Sequence, residues 1–299
     1  MKILLTGSNG QLGWELERAL CPLGQVFAFD RGALDIGDPA AVRARLRETR
    51  PEVVVNAAAF TAVDRAEAEP ELALRINGVA PGIIAEETRR AGALLVHYST
   101  DYVFDGAQRG PYAETDVANP LNAYGRSKLA GERAVAQSAG EHLVLRTSWL
   151  YGTRGQNFLR TVLRLALTRD RLRIVDDQVG APTWCRLVAE ATGQILAQRI
   201  ARGGGESGVF HLACAGATSW HGFAQAILEQ FAGEIERRPV LEAISTPEYP
   251  LPAARPANSV LDCGKLERAS GIALPDWRRA LTLCARDGMQ TSLLQSITG

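Results

Sequence analysis

The chain has 299 residues, 46% of them apolar and 6% aromatic, and its 33 basic side chains balance 33 acidic ones. A chain of this length buries a large core in one big domain or two smaller ones, and a formal charge of zero argues against a nucleic-acid or anionic-membrane binder, whose footprint is a basic excess. No apolar run approaches the roughly 20 residues that span a bilayer, so no membrane partner is expected.

The first apolar run turns at once into Thr6-Gly7-Ser8-Asn9-Gly10, too early for the apolar region of a secretory signal. Five Cys are scattered without a Cys-x-x-Cys pair. They read as reduced thiols of a cytoplasmic protein without a zinc site. The basic set is uneven: Arg supplies nearly all of it, and Lys occurs only at Lys2, Lys128 and Lys265. Any motif that needs a Lys is therefore unlikely to arise by accident.

Short apolar runs alternate with amphipathic stretches over the first half of the chain. Residues 3–6, 26–29, 53–55, 94–98 and 143–146 read as buried strands, and helical patterns lie between them near 11–21, 39–48, 70–91 and 123–138. This rhythm predicts βαβ units and an α/β fold: a doubly wound parallel sheet, covered on both faces, with ligands at the carboxyl ends of its strands. Beyond about 150 the pattern loosens. Helices are predicted near 155–168, 185–200, 220–232 and 276–286, and a strand at 208–213. The stretch 246–258 carries four prolines and is predicted to be mostly extended loop. This second half reads as a smaller cap whose boundary with the first domain is interleaved.

Gly7, Gly10 and Gly13 form a G-x-x-G-x-x-G loop between the first strand and the first helix. Glycines so placed permit a tight turn, close approach to a diphosphate, and close helix–strand packing. The helix N-terminus then offers unpaired N–H groups to the phosphates. Asp30 ends the second strand, where a carboxylate accepts hydrogen bonds from adenosine ribose hydroxyls. Arg31 follows and suits a 2′-phosphate, or is a solvated surface charge. On these two side chains the choice between NADH and NADPH stays open.

Tyr124-Gly125-Arg126-Ser127-Lys128 opens the helix after the fourth strand, and the i, i+4 spacing sets Tyr and Lys on one helical face. A neighbouring ammonium favours the phenolate and is expected to lower the phenol's pKa. Tyr124 would protonate a carbonyl oxygen as hydride reaches the carbon, and Lys128 would also hold the nicotinamide ribose. With six Tyr and three Lys in the chain, about 0.06 such pairs arise by chance. Ser99-Thr100 leaves the fourth strand; beside the Tyr/Lys pair, the Thr100 hydroxyl reads as a donor to the substrate carbonyl.

Further markers run the length of the chain: Leu5-Thr6-Gly7-Ser8-Asn9-Gly10-Gln11-Leu12-Gly13, Asn56-Ala57-Ala58-Ala59-Phe60-Thr61-Ala62-Val63-Asp64, Ser99-Thr100-Asp101-Tyr102-Val103-Phe104-Asp105-Gly106, Arg146-Thr147-Ser148-Trp149-Leu150-Tyr151-Gly152 and Val175-Asp176-Asp177-Gln178-Val179-Gly180-Ala181-Pro182-Thr183. The Pro-rich loop ends in Arg255-Pro256-Ala257-Asn258-Ser259. With the Tyr/Lys motif, they resemble the extended short-chain dehydrogenase/reductase superfamily and, within it, the dTDP-4-dehydrorhamnose reductase family. The resemblance implies a Rossmann-type NAD(P)-binding domain over 1–152, with a return at about 185–215, and a mainly substrate-binding cap over 153–299. It implies cofactor contacts at Gly10, Gln11, Leu12, Asp30, Asp35, Ile36, Ala59, Phe60, Thr61, Tyr98, Tyr124 and Lys128. The family often has His where Phe60 stands. Substrate contacts fall on Thr100, Asp101 and Trp149, with Val63 nearby. Arg255 and Asn258 either grip the nucleotide diphosphate or hold their loop.

The implied reaction is NADPH- or NADH-dependent reduction of the C4 ketone of dTDP-4-dehydro-β-L-rhamnose, by a monomer or a homodimer. Some family members are Mg²⁺-linked dimers, but no carboxylate cluster in the sequence has ligand spacing, and His97, His142, His211 and His221 have no metal spacing either. Sister nucleotide-sugar enzymes, a 4,6-dehydratase or an epimerase, are the main alternatives. A dehydratase needs a Glu after the Asp beside its Thr, and here Asp101 precedes Tyr102. A non-catalytic binding subunit would not need the intact Thr100, Tyr124 and Lys128.

Overall fold

The computed structural model describes residues 1–138 and 140–290. Six parallel strands form the central sheet: β1 (Lys2–Thr6), β2 (Gln25–Phe29), β3 (Val53–Asn56), β4 (Leu94–Thr100), β5 (His142–Thr147) and β6 (Gly208–His211). Their order is β6-β5-β4-β3-β1-β2. The connection from β1 runs outward to β2, and the chain then returns to β3 on the other side. A crevice therefore opens above the carboxyl ends of β1 and β3, as in Rossmann-type doubly wound sheets.

Alternation along the strands supplies two cores. Ile3, Leu5, Val53, Val55, Val96, Leu143 and Leu145 face α1 (Gln11–Leu20) and the long helix Cys185–Arg202. Leu4, Val54, Leu95 and Val144 face α2 (Pro39–Thr49), α3 (Ala80–Arg90) and α4 (Ala123–Gln137). Side chains on successive strand residues point to opposite faces, so a run of consecutive apolar residues serves both layers. Two helix starts are set by capping. The Asp38 carboxylate accepts from the Ala40 and Ala41 N–H groups at 2.9 and 3.1 Å, and the Asn122 amide oxygen accepts from Gly125 N–H at 2.8 Å.

The predicted helix over 70–91 is interrupted. A turn at Pro70–Leu74 passes into a π-helical turn at Arg75–Val79 before α3 begins. Pro81 has no N–H to give the Asn77 carbonyl, and the Ala80 N–H bonds instead to Arg75 O, one residue further back. The Asn77 side chain faces inward: its amide accepts from Phe60 N–H at 2.8 Å and donates to Phe60 O at 2.9 Å. A short helix at Val63–Ala68 has no counterpart in the predicted elements, being too brief for a clear period.

Beyond β5 the chain builds α5 (Phe158–Ala166), α6 (Cys185–Arg202) and α7 (Trp220–Gln230), and a two-stranded parallel pair joins Arg171–Val175 to Val240–Ile244. That pair was not among the predicted elements, since its strands are partly exposed and far apart in sequence. Within the second half, positions 291–299 lie outside the described residues.

Behind the site, Arg146 on β5 and Glu132 on α4 make a buried two-point ion pair, at 2.9 and 2.7 Å, with side chains 6% and 4% exposed. Removing one partner strands the other's charge. Arg146→Met is expected to lower unfolding free energy by about 3–5 kcal/mol. The double variant Arg146→Met/Glu132→Leu should recover most of that, both read by urea denaturation.

Candidate active site

A cavity of about 620 Å³ occupies the crevice. Its floor is the glycine loop after β1, and its walls are the segments that leave β2, β3, β4 and β5. Gly7 holds φ at +71°, and a Cβ there would lie 2.7 Å from Ala58 N, so only glycine lets the two strand ends approach. Gly10 precedes α1 without a side-chain cap, and no acidic residue stands in the helix's first turn. The first N–H groups of α1 thus face the cavity with a positive dipole end and no competing side chain, which fits an anionic diphosphate.

Asp30 lines the same cavity; its carboxylate accepts from Asn9 Nδ2 at 2.6 Å and from Ala33 N–H at 2.9 Å. The Arg31 side chain is 82% exposed and lies 3.8 Å from the Asp35 carboxylate. Gln11, Leu12, Gly13, Asp35, Ile36, Ala59, Phe60, Thr61 and Val63 also line the cavity. Phe60 packs against the buried cluster of Ala66, Ala73 and Ala123, so an apolar side chain is accommodated where the family often has His.

Tyr124, Lys128 and Thr100 converge on one end of this space. The Asn122 cap fixes the start of α4, and Gly125 lets that start press onto the turn after β4. A Cβ at Gly125 would overlap the Tyr102 carbonyl oxygen and would lie 2.9 Å from Pro120 Cβ. This contact seats Tyr124 in the same cavity as Thr100. Lys128 is 2% exposed and donates to the Tyr98 carbonyl oxygen at 2.6 Å. The Tyr98 phenol itself turns into the core to Thr192 at 2.7 Å, so Tyr98 offers the site its backbone rather than its ring.

The expected lowering of the Tyr124 pKa is reversed. Burial pushes the phenol up to about 12, the Thr100 hydroxyl opposes the rise, and the Asp101 charge adds to it. The Lys128 ammonium is spent on a carbonyl, and burial brings its own pKa down to about 8, against the pull of Glu132. At neutral pH Tyr124 is therefore a protonated donor and Lys128 a cation.

Asp101 lines the cavity, yet its carboxylate is occupied from within. Thr100 Oγ1 and Ser148 Oγ donate to its two oxygens, each at 2.9 Å. Burial raises its pKa to about 6 despite hydrogen bonds from Ser259, Ser148 and Thr100. Arg255 and Asn258 do not reach the cavity. Arg255 makes a two-point pair with Asp64, at 2.7 and 3.0 Å, and Asn258 Nδ2 donates to Gln108 O and Gly110 O, each at 2.8 Å. Of the two roles open to them, holding the loop is the one these contacts serve. No group of three or more His, Cys, Asp or Glu among the described residues is placed to hold a metal ion.

Trp149 lines the cavity and stacks face to face on Trp220, a residue absent from the sequence assignments. Ser99 and Thr147 likewise carry no sequence assignment; both line the cavity, and their hydroxyls are buried without a partner. Thr147 pairs with Thr100 in the strand register, and the rule that ligands sit at strand carboxyl ends is the signal that finds it.

The model of the RmlD substrate binding domain matches residues 1–289. The chain belongs to that family. A dTDP-4-dehydrorhamnose reductase of Burkholderia thailandensis is 51% identical over 294 residues, covering 96% of this chain and 99% of its own. The crystal structure of a dTDP-4-dehydrorhamnose reductase from Clostridium acetobutylicum superposes with a TM-score of 0.90 at 38% identity, over 97% of this chain and all of the other. A Bacillus anthracis dTDP-4-dehydrorhamnose reductase, solved in complex with NADP, gives a TM-score of 0.88 at 33% identity over 96% of this chain and 99% of its own.

The raised pKa of Asp101 carries a linkage. Its folded value, about 6, exceeds the unfolded value of 3.8, so the folded state favours the neutral acid. The stabilisation is complete below about 3.8 and is lost as pH rises through 6. A gap of this size corresponds to about 3 kcal/mol. Between pH 4 and 7, urea denaturation should show the wild type losing stability relative to Asp101→Asn, with parallel curves arguing against a buried titrating carboxyl.

Proposed function

We propose that this chain is an NADPH- or NADH-dependent reductase of the C4 ketone of dTDP-4-dehydro-β-L-rhamnose, giving dTDP-L-rhamnose, the last step in making that sugar nucleotide. The observation that carries the reading is the convergence of Tyr124, Lys128 and Thr100 on a cavity that also contains an uncapped helix N-terminus behind a glycine loop. The dTDP-4-dehydrorhamnose reductases that resemble the chain over nearly their whole lengths support it.

The first turn of α1 would hold the cofactor's diphosphate, Asp30 its adenosine ribose, and Lys128 its nicotinamide ribose. Asp30 favours a free ribose and the exposed Arg31 a 2′-phosphate, so both nicotinamides fit, and the NADP-bound relative supports the phosphorylated one. When bound, the cofactor supplies hydride to the carbonyl carbon.

Tyr124 supplies the proton to the carbonyl oxygen, and a phenol with its pKa near 12 is fully loaded for that task at neutral pH. As the proton leaves, negative charge develops at Tyr124, and the buried Lys128 cation one helical turn away stabilises it. Thr100 positions the carbonyl against the phenol. Its hydroxyl proton points at the Asp101 carboxylate, so it must turn toward the substrate or release Asp101 when the ketone arrives.

The reading also assigns residues 1–152, with a return at about 185–215, to cofactor binding and 153–299 mainly to the substrate. It places the enzyme in the cytoplasm, as a monomer or homodimer. No helix among the described residues is long and apolar enough to cross a membrane.

The test is a coupled assay with both nicotinamides and both epimeric sugars. Oxidation of NADPH or NADH is expected with the 4-keto-6-deoxy-L-sugar nucleotide and not with its D-configured precursor; equal consumption of the D sugar overturns the assignment. Tyr124→Phe should lower kcat by about 10²–10⁴-fold, the usual contribution of a positioned general acid, while NADPH binding is retained.

A further inference from the structure

Trp149 and Trp220 meet with ring centroids 3.4 Å apart and planes within 1° of parallel. They reach that contact from different parts of the chain. Trp149 lies two residues beyond Thr147, the register partner of Thr100. Trp220 is the first residue of α7, where the Ser219 hydroxyl accepts from Gly222 N–H at 2.9 Å and also bonds the Asp176 carboxylate. Phe158 leans on Trp220 at 4.6 Å.

The Trp149 backbone holds φ at +43°, a left-handed conformation that bulky side chains avoid unless their surroundings impose it. The Nε1–Cε2–Cζ2 edge of its indole lies so close to Gly180 that a Cβ there would overlap it, 2.6 Å from Nε1. Gly180 and Trp220 therefore fix the indole of a residue whose own backbone preference would release it. Both Trp residues line the cavity, and Trp149 follows β5, three strands away in the sheet from β1 and four from β2, the strand that Asp30 follows.

Resting on the reductase reading, we propose that Trp220 is a substrate-positioning residue, which by stacking on Trp149 holds that indole as a platform for the sugar of the nucleotide substrate. A ketone presented to Tyr124 and Thr100 brings its own ring, not the nucleobase, alongside this pair. A 6-deoxy sugar carries a methyl group and C–H faces that pack on an indole.

The experiment compares wild type, Trp220→Leu and Trp220→Phe by calorimetric titration with dTDP-L-rhamnose, dTDP and NADPH, by steady-state kinetics, and by circular dichroism of the stacked indoles. Trp220→Leu is expected to abolish the exciton signal and to raise both the Kd for dTDP-L-rhamnose and the KM for the ketosugar about tenfold. The Kd values for dTDP and NADPH should stay within twofold and kcat within threefold, and Trp220→Phe should restore most of the sugar affinity. Unchanged dTDP-L-rhamnose binding in Trp220→Leu overturns the inference while leaving the reductase reading intact. So does an equal weakening of all three ligands, which marks a merely structural role. A wild-type protein that neither binds dTDP-L-rhamnose more tightly than dTDP nor reduces the ketosugar overturns the reductase reading, and this inference with it.

Discussion

The close approach of α4 to the turn that leaves β4 is the constraint on which the site depends. Gly125 has no side chain to hold the helix off the Tyr102 carbonyl, and Asn122 starts the helix at that spot. One contact thus sets three placements at once: Tyr124 in the cavity with Thr100, Lys128 on the Tyr98 carbonyl, and the whole helix against the sheet. The chemistry is carried by side chains, but a missing side chain puts them in range of one another.

Electrostatics along α4 follow from the same placement. Tyr124, Lys128 and Glu132 recur every four residues on the inward face, so phenol, ammonium and carboxylate line up from the cavity toward the interior. Arg146 closes the row by pairing with Glu132. Charges that would each be costly to bury alone alternate in sign and are each given a partner. Lys128 is left with one carbonyl and a depressed pKa, which keeps its cation close to the limit at which burial would discharge it.

Features written in local spacing are legible in the sequence. The glycine loop and Asp30 lie within a few residues of a strand end, the Tyr/Lys pair is one turn of a single helix, and the doubly wound parallel sheet follows from the βαβ rhythm. Trp220 is not legible in that way, because its meaning arises only where it meets Trp149, a contact that no periodicity encodes. For Asp101 and Asn258 the motif places the residue but not its bonds: Asp101 lines the cavity while accepting from Thr100 and Ser148, and Asn258 holds its loop by bonding Gln108, contacts that no local spacing encodes. The π turn escapes a period-based reading because one extra residue leaves the apolar stripe nearly intact on either side.

That extra residue has a consequence for how the chain can vary. Adding a residue advances everything after it by about 100° around the helix axis. The inward faces of Pro70–Leu74 and α3 are therefore in phase only because Arg75–Val79 takes up the difference. A single deletion that restored a regular helix would turn Ile84 and Ala85 out of the core and withdraw Asn77, whose amide stands in for a neighbouring strand along the Phe60 backbone. In this segment length is as restricted as identity, and descendants of this chain can exchange residues there far more freely than they can lose one.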